Sequence, residues 1–277
     1  MPRSDRVGTG TAVLELDDVR KSFTSPSGDS LTVLDGVSVR LVENQFTVLV
    51  GPSGCGKTTL LEVAVGLSQP TSGEVRCFGQ SLTQLRKDVG YITQQANLFP
   101  WYTLRENVQL PLQLRGVDRA ERVERADRFI EIAGLTGFGD HFPHQLSGGM
   151  QKRASIIRTL IYDPQVILMD EPFGALDAQT RMIMQDYLLT MWAETRATVF
   201  FVTHDLQEAV ILADNVVLLT GQPTKVKTDI AIDLPRPRNV FEPYAMPGFV
   251  ETYDKVWNIF KSEIRGQLVR VHDGSDQ

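Results

Sequence analysis

The run Gly51-Pro52-Ser53-Gly54-Cys55-Gly56-Lys57-Thr58-Thr59 constrains this chain more than any other stretch. It follows Phe46-Thr47-Val48-Leu49-Val50, an apolar segment with the character of a buried strand, and it opens a helix at Lys57-Thr58-Thr59-Leu60-Leu61-Glu62. The pattern is G-x-x-x-x-G-K-[ST] in the strand-then-helix setting that gives it meaning. Glycines let successive backbone N–H groups turn inward around a phosphate chain, and the helix N-terminus adds the positive end of its dipole. The pattern places Lys57 toward the β- and γ-phosphates and the Thr58 hydroxyl on Mg²⁺. A glycine-rich turn with an incidental lysine is the competing reading, and it leaves the flanking strand and helix unexplained. A chain built this way is expected to bind a nucleoside triphosphate.

The bulk numbers narrow the class. A length of 277 residues suits one large or two modest domains. The balance of 28 basic against 34 acidic residues, net −6, argues against wholesale nucleic-acid binding, which needs a basic face. Two cysteines, Cys55 and Cys77, do not make a disulfide framework. Residues 1–11 are polar and expected to be a loose tail rather than a signal peptide. No apolar run reaches the length needed to cross a bilayer, so any membrane role is expected to come through a partner.

Taken in order, Val13–Leu16 and Leu31–Leu41 are expected to pair around the turn Ser25–Asp29. Phe23 ends the first of these strands, where an aromatic ring either stacks on an adenine or packs into the core. Short strands are expected near Glu74–Phe78 and Val89–Thr93. Then the composition turns helical: Leu104–Leu114, Arg119–Ala133 with Val123, Ala126, Ile130 and Ala133 on one face, and Ser147–Tyr162. Afterwards strands and helices alternate: Val166–Asp170, Leu176–Glu194, Thr198–Val202, Leu206–Ala213. That alternation implies a parallel sheet covered on both faces. Residues 228–277 are expected to hold one short strand, the Leu234-Pro235-Arg236-Pro237-Arg238 turn and a last helix around Phe249–Glu263.

Three further groups bear on chemistry. Asp170 closes an apolar strand and Glu171 follows it, where open parallel sheets place their ligands. Asp170 is expected to hold Mg²⁺ through water, and Glu171 to polarise an attacking water. Leu146-Ser147-Gly148-Gly149-Met150-Gln151 combines a good N-cap with two glycines, a second anion cradle on the same chain. A second cradle makes sense if it serves another molecule's nucleotide. His204, just past a sheet strand, is a candidate for the same chemistry.

Together these residues closely resemble the ATP-binding subunit of ABC (ATP-binding cassette) transporters, over about residues 12–230. The marks occur in family order: the aromatic at Phe23, Gly51–Thr59, Gln94, Leu146–Gln151, Asp170-Glu171, Ala175-Leu176-Asp177 and Thr203-His204-Asp205. The aromatic is Phe rather than the commoner Tyr, and Gln95 beside Gln94 leaves that register open by one residue. The resemblance implies a P-loop NTPase ABC cassette: an α/β fold with a parallel-sheet core, an N-terminal antiparallel β subdomain, a helical subdomain over about residues 97–162, and a C-terminal tail from 231 to 277. It implies that Gln94 ligates Mg²⁺ and senses the γ-phosphate, that His204 contacts the γ-phosphate, and that Ser147 to Gly149, with Gln151 in the same motif, close the opposite subunit's site. The cofactors would be ATP and Mg²⁺. The partners would be transmembrane permease subunits, a second identical or paralogous ATPase subunit and, indirectly, a substrate-binding protein, without nucleic acid. The location would be peripheral, on the cytoplasmic face of the membrane.

Glu171–Arg181 and Leu234–Arg238 resemble importers of the nitrate, sulfonate and taurine group; an exporter subunit is the runner-up within the family. Soluble family members acting on nucleic acid or ribosomes are a rival. Those carry two cassettes or long coiled-coil insertions, whereas here there is one Gly51–Thr59 loop and only 94 residues separate Gly51 from Leu146. A small-molecule kinase would leave Leu146–Gln151 unexplained. Two local expectations follow. Cys55, beside Lys57 and a helix N-terminus, is expected to be a reactive thiol, or else merely small and buried. The apolar Leu98-Phe99-Pro100-Trp101-Tyr102 either docks a membrane partner or packs into the core.

Overall fold

The computed structural model describes residues 10–25 and 28–273, and side chains through residue 263. Residues 1–9 of the expected tail, and Pro26 and Ser27 of the first turn, lie outside the described residues. In chain order the strands and helices are β1 Ala12–Thr24, β2 Ser30–Val42, β3 Phe46–Val50, α1 Lys57–Val65, β4 Ser72–Cys77, β5 Gln80–Ser81 and β6 Val89–Ile92. There follow α2 Leu104–Leu114, α3 Arg119–Ile132, α4 Gly148–Leu160, β7 Val166–Asp170, α5 Ala178–Thr195 and β8 Thr198–Thr203. The chain closes with α6 Leu206–Leu212, β9 Asn215–Leu219, β10 Val226–Ala231 and α7 Phe249–Asp273. The α/β class with an antiparallel N-terminal sheet and an inserted helical region is the architecture expected.

The chain forms two compact units, one from Met1–Arg86 with Thr198–Gln277, the other Lys87–Ala197. In the first, β2, β1, β4 and β5 make an antiparallel sheet. The same unit holds β3 parallel between β8 and β9, with β10 antiparallel on the outer side of β9. All five residues of β3 and all six of β8 are buried. A strand covered on both faces has no polar alternation, and each buried Val, Leu or Phe side chain contributes about 1.5–3 kcal/mol.

The second unit packs α2, α3 and α4 together and carries a parallel β6–β7 pair. It is wider than the 97–162 stretch expected to be helical, because β6, β7 and α5 cluster with those helices. Helix termini explain the small shifts in element bounds. Thr103, Asp118, Ser147, Asp177 and Asp205 each accept a hydrogen bond from their own helix's first turn, so each lies one residue outside it.

One strand toward the C-terminal end was not expected. A strand, β9, occupies Asn215–Leu219, which the sequence reading passed over. Its buried run Val216-Val217-Leu218-Leu219 follows α6 after three residues, and a run buried throughout has no period of two to set it apart. The expected C-terminal tail from residue 231 carries α7, which packs back within its own unit. Phe249, Val256 and Phe260 of α7 are buried, and α7 packs on α6. The Leu234–Arg238 turn locks that end: Arg236 bonds Asp214 Oδ1 from Nε at 3.0 Å and from Nη2 at 2.6 Å, and the Leu212 carbonyl at 2.9 Å. Arg238 Nη1 donates to the Ile211 and Ala213 carbonyls at 3.2 and 2.5 Å, capping the last turn of α6.

Asp214 is the hub of this junction, since its Oδ2 also accepts the Phe46 amide at 2.9 Å. Asp214→Ala removes three charge-assisted or buried bonds and leaves Arg238 without its nearest carboxylate, 3.8 Å away. Stability should fall by about 2–4 kcal/mol, read as a lower urea midpoint at unchanged slope; a midpoint equal to the parent's would refute the junction's importance.

Candidate functional site

In the first unit the chain leaves the buried strand β3 at Gly51, where backbone pairing to both neighbours ends. The loop that follows needs left-handed backbone at Gly54 (φ +73°) and Gly56 (φ +107°), and a Cβ on Gly56 would lie 2.5 Å from Val33 Cγ1. Gly56 is also the N-cap of α1, and it offers no side-chain acceptor to the helix amides. The helices α2 to α6 are all capped by a hydroxyl or carboxylate of their own chain, and α1 is not. Its first-turn N–H groups therefore suit an external anion. Lys57, buried, turns its Nζ into the loop, donating to the Gly51 and Pro52 carbonyls at 2.9 and 3.0 Å. Ser53, Gly54 and Thr58 are exposed along the same turn, with Cys55 buried and Thr59 half-buried.

Parallel register pairs Val50 with Thr203, so His204 leaves β8 level with Gly51 leaving β3. His204 is exposed, and the residues on both sides of it are fixed. Thr203 Oγ1 donates to Glu208 Oε2 at 2.6 Å and accepts the Asp205 amide at 3.0 Å, while Asp205 caps α6. Phe23, near the end of β1, is 46% exposed, with the Lys21 ammonium 5.3 Å above its ring. The core reading of Phe23 is thereby set aside.

The second unit carries the remaining candidates. Ile92 pairs with Met169, so the chain passes Thr93 and Gln94 on β6's side as it passes Asp170 and Glu171 on β7's. Asp170 is buried at 2% exposure, and Glu171 sits at φ +43°, a left-handed conformation that a side chain rarely adopts. Backbone held this way clusters at functional positions. Gln94 is exposed, and its carbonyl accepts Lys152 Nζ at 2.9 Å, with the Thr93 carbonyl at 2.6 Å. Burial lowers the Lys152 ammonium to about 8, against the pull of the Asp170 charge. Ser147 caps α4 through the Met150 amide at 3.3 Å, and a Cβ on Gly148 would meet nothing within 4 Å, so this cradle is open. Gln151 faces the other way: its Nε2 donates to the Pro143 and Leu146 carbonyls at 2.9 and 3.1 Å, bracing the loop before the cradle.

The candidates thus fall into two sets. Phe23, Gly51–Thr59 and His204 belong to the first unit; Gln94, Ser147–Gly149, Gln151, Asp170 and Glu171 belong to the second. The uncapped α1 amides with Lys57 fit a polyphosphate. Thr58 in the first unit, and Gln94 and Asp170 in the second, each offer an oxygen donor of the kind Mg²⁺ takes. The sequence reading missed Gln222 and Thr224, which bond the Gly54 and Cys55 carbonyls from behind the loop. They lie more than 160 residues further along the chain, and nothing local marks them. It also missed Lys152, for which there was a signal: Lys152, Ser155, Ile156 and Thr159 share one buried helix face, and an ammonium on such a face needs a partner.

The chain matches the ABC transporter family model over residues 34–174. It is 46% identical over 255 residues, 92% of this chain and 94% of the relative, to an uncharacterised ABC transporter ATP-binding protein of Methanocaldococcus jannaschii. It is 40% identical to the nitrate import ATP-binding protein NrtD of Synechocystis, covering 80% of this chain and 83% of that one. It is 39% identical to the aliphatic sulfonates import ATP-binding protein SsuB of Bacillus cereus, covering 93% and 98%. Among solved structures it superposes with TM-score 0.72 and 32% identity on a dimeric ATP-binding cassette in a post-hydrolysis state bound to ADP and Pi, covering 79% of this chain and 98% of that chain.

Cys55 corrects the expectation of a reactive thiol. It is 1% exposed, and burial pushes its thiol up, outweighing the nearby Lys57 charge. Native protein at pH 7.5 should alkylate at Cys55 at least about tenfold more slowly than denatured chain, with ATP making little difference. Labelling as fast as in urea would overturn this.

Proposed function

The chain belongs to the ABC transporter family and is an ATP-hydrolysing subunit of that class; from this we propose that it drives import of a small oxyanion such as nitrate, an aliphatic sulfonate or taurine. The observation that carries the importer reading is the extent of similarity to relatives named for nitrate and sulfonate import, at 40% and 39% identity. The Leu234–Arg238 turn supports the same group. Among the described residues no helix is long and apolar enough to cross a membrane, so the proposed membrane location depends on permease subunits.

In the proposed mechanism the α1 amides and Lys57 bind the β- and γ-phosphates, and Phe23 stacks on the adenine. Thr58 of the first unit, and Gln94 and Asp170 of the second, would be the ligands for Mg²⁺, which would offset charge on the phosphate oxygens. Glu171 orients the attacking water and takes up its proton, and His204 donates to the γ-phosphate. Ser147 to Gly149 bind the γ-phosphate held by a second cassette. Each such bond contributes roughly 1.5–3 kcal/mol, enough for two or three to hold cassettes together while ATP is present. Glu171→Gln should keep ATP affinity, form ATP-dependent dimers and lose about 10²–10⁴-fold in turnover. In the native host it should abolish uptake of isotope-labelled nitrate or sulfonate. Turnover above half the parental rate sinks the role of Glu171; uptake of all these solutes unchanged sinks the cargo class.

The permease is proposed to dock at the aromatic cluster beyond Gln94. Phe99, Trp101 and Tyr102 pack their rings with centroids 5.6 to 6.3 Å apart, and Trp101 is 66% exposed. That exposure is why core packing is not the reading retained. Trp101→Ala should release the chain from membranes about tenfold more readily with ATP affinity and Tm unchanged. A lower Tm with membrane association intact would return Trp101 to the core.

A further inference from the structure

Helix α4 does more than present the Ser147 cradle. Two basic side chains on it hold, by their carbonyls, the segment that runs from Gln94 to the aromatic cluster. Lys152 takes the Thr93 and Gln94 carbonyls, and Arg158 takes the Asn97 carbonyl at 2.9 Å and the Ala96 carbonyl at 3.4 Å. The Arg158 guanidinium also lies 5.6 Å from the Phe99 ring centroid. The segment is braced internally, with Thr93 Oγ1 donating to the Gln95 carbonyl at 2.7 Å and Asn97 Nδ2 donating back to Thr93 Oγ1 at 3.0 Å. Its far end is anchored by Asn107 of α2. That side chain accepts the Phe99 amide at 2.8 Å and donates to the Phe99, Tyr102 and Thr103 carbonyls at 3.0–3.1 Å.

These bonds have a mechanical consequence. Apolar contacts let a loop slide, whereas donors aimed at four backbone carbonyls fix its path to within a hydrogen bond's tolerance. Lys152 is 2% exposed, so its ammonium is desolvated where it meets these acceptors, and losing them costs more than losing a surface hydrogen bond. Gln94, the aromatic cluster and the start of α4 are therefore tied into one body.

We propose that Lys152, with Arg158, is a positioning residue that links Ser147–Gly149 on α4 to Gln94 and to the Trp101 cluster, so that nucleotide engaged at the cradle is felt at both. This rests on the proposed role of Ser147–Gly149 in binding a second cassette's nucleotide. It assigns no contact between Lys152 and the nucleotide.

The test uses the full-length chain and Lys152→Met, which keeps the side-chain volume and removes the donor. Lys152→Arg is the conservative control, and Arg158→Gln is the alternative variant if Lys152→Met does not fold. ATPase kinetics should show kcat down about tenfold with KM for ATP within about threefold, largely restored in Lys152→Arg. Hydrogen exchange over residues 93–102, with and without Mg²⁺ and a non-hydrolysable ATP analogue, should show nucleotide-dependent protection in the parent that is absent in Lys152→Met. A merely structural lysine would lower Tm and speed exchange equally in both conditions, leaving the nucleotide-dependent difference in place, and that result overturns the proposal. Ser147→Arg assayed alongside separates the two layers. Full activity there overturns the shared-site reading and the link with it; an inactive Ser147→Arg beside a Lys152→Met with parental kcat and exchange overturns the link alone.

Discussion

Everything chemical in this protein depends on β3 being buried on both faces between two parallel neighbours. A strand so placed must stop where its hydrogen-bonding partners stop, and its last residue, Val50, delivers the chain to the carboxyl edge of the sheet with β8 in register beside it. Helix α1 then begins without an internal cap, which is unfavourable for a helix unless something outside supplies the acceptor. Gly56 makes that possible, since its conformation and its 2.5 Å approach to Val33 both exclude a side chain able to turn back and cap. The loop is thus shaped by what the fold denies it, and a phosphate chain is the partner that completes it.

The second unit uses a different device. Its β6–β7 pair brings Gln94 and the Asp170-Glu171 dipeptide to one edge, and Glu171 is held there in left-handed backbone. Asp170 is buried with the Lys152 charge nearby, so its carboxylate is largely withdrawn from bulk water. That suits a group whose proposed work is to face a hydrated cation. Glu171, one residue on and only half-buried, keeps access to solvent, as the proposed handling of an attacking water requires.

What the sequence revealed followed from how local each signal was. Gly51–Thr59 and Asp170-Glu171 were legible because strand, turn and helix lie within ten residues of one another, and Ser147–Gly149 because a capping serine and two glycines open a helix. The helices were legible because their caps, Thr103, Asp118 and Ser147, announce themselves before an apolar period begins. Strand β9 was not, because burial on both faces erased its alternation. Neither was the extent of the helical unit, which depends on α5 and on a strand pair whose members are more than seventy residues apart. Cys55 was misjudged for a physical reason: the helix dipole and Lys57 were visible in the sequence, but the burial that outweighs them exists only once the chain is folded around the loop. Local charge was readable and desolvation was not.

The same division explains why net charge says little about this chain's partners. Several of its basic side chains face backbone carbonyls rather than solvent: Arg238 at the end of α6, Arg153 at the Ala133 and Gly134 carbonyls, and Lys152 and Arg158 along residues 93–97. A cation in such a place costs desolvation and contributes little net stability over an apolar residue of equal size. What it supplies is direction, since several fixed donors on one rigid helix hold a loop that has too little apolar surface to hold itself. In a protein whose proposed work is to convert phosphate binding into displacement of a distant surface, loops gripped this way can be carried by a helix without melting. Apolar packing alone would let them lag behind.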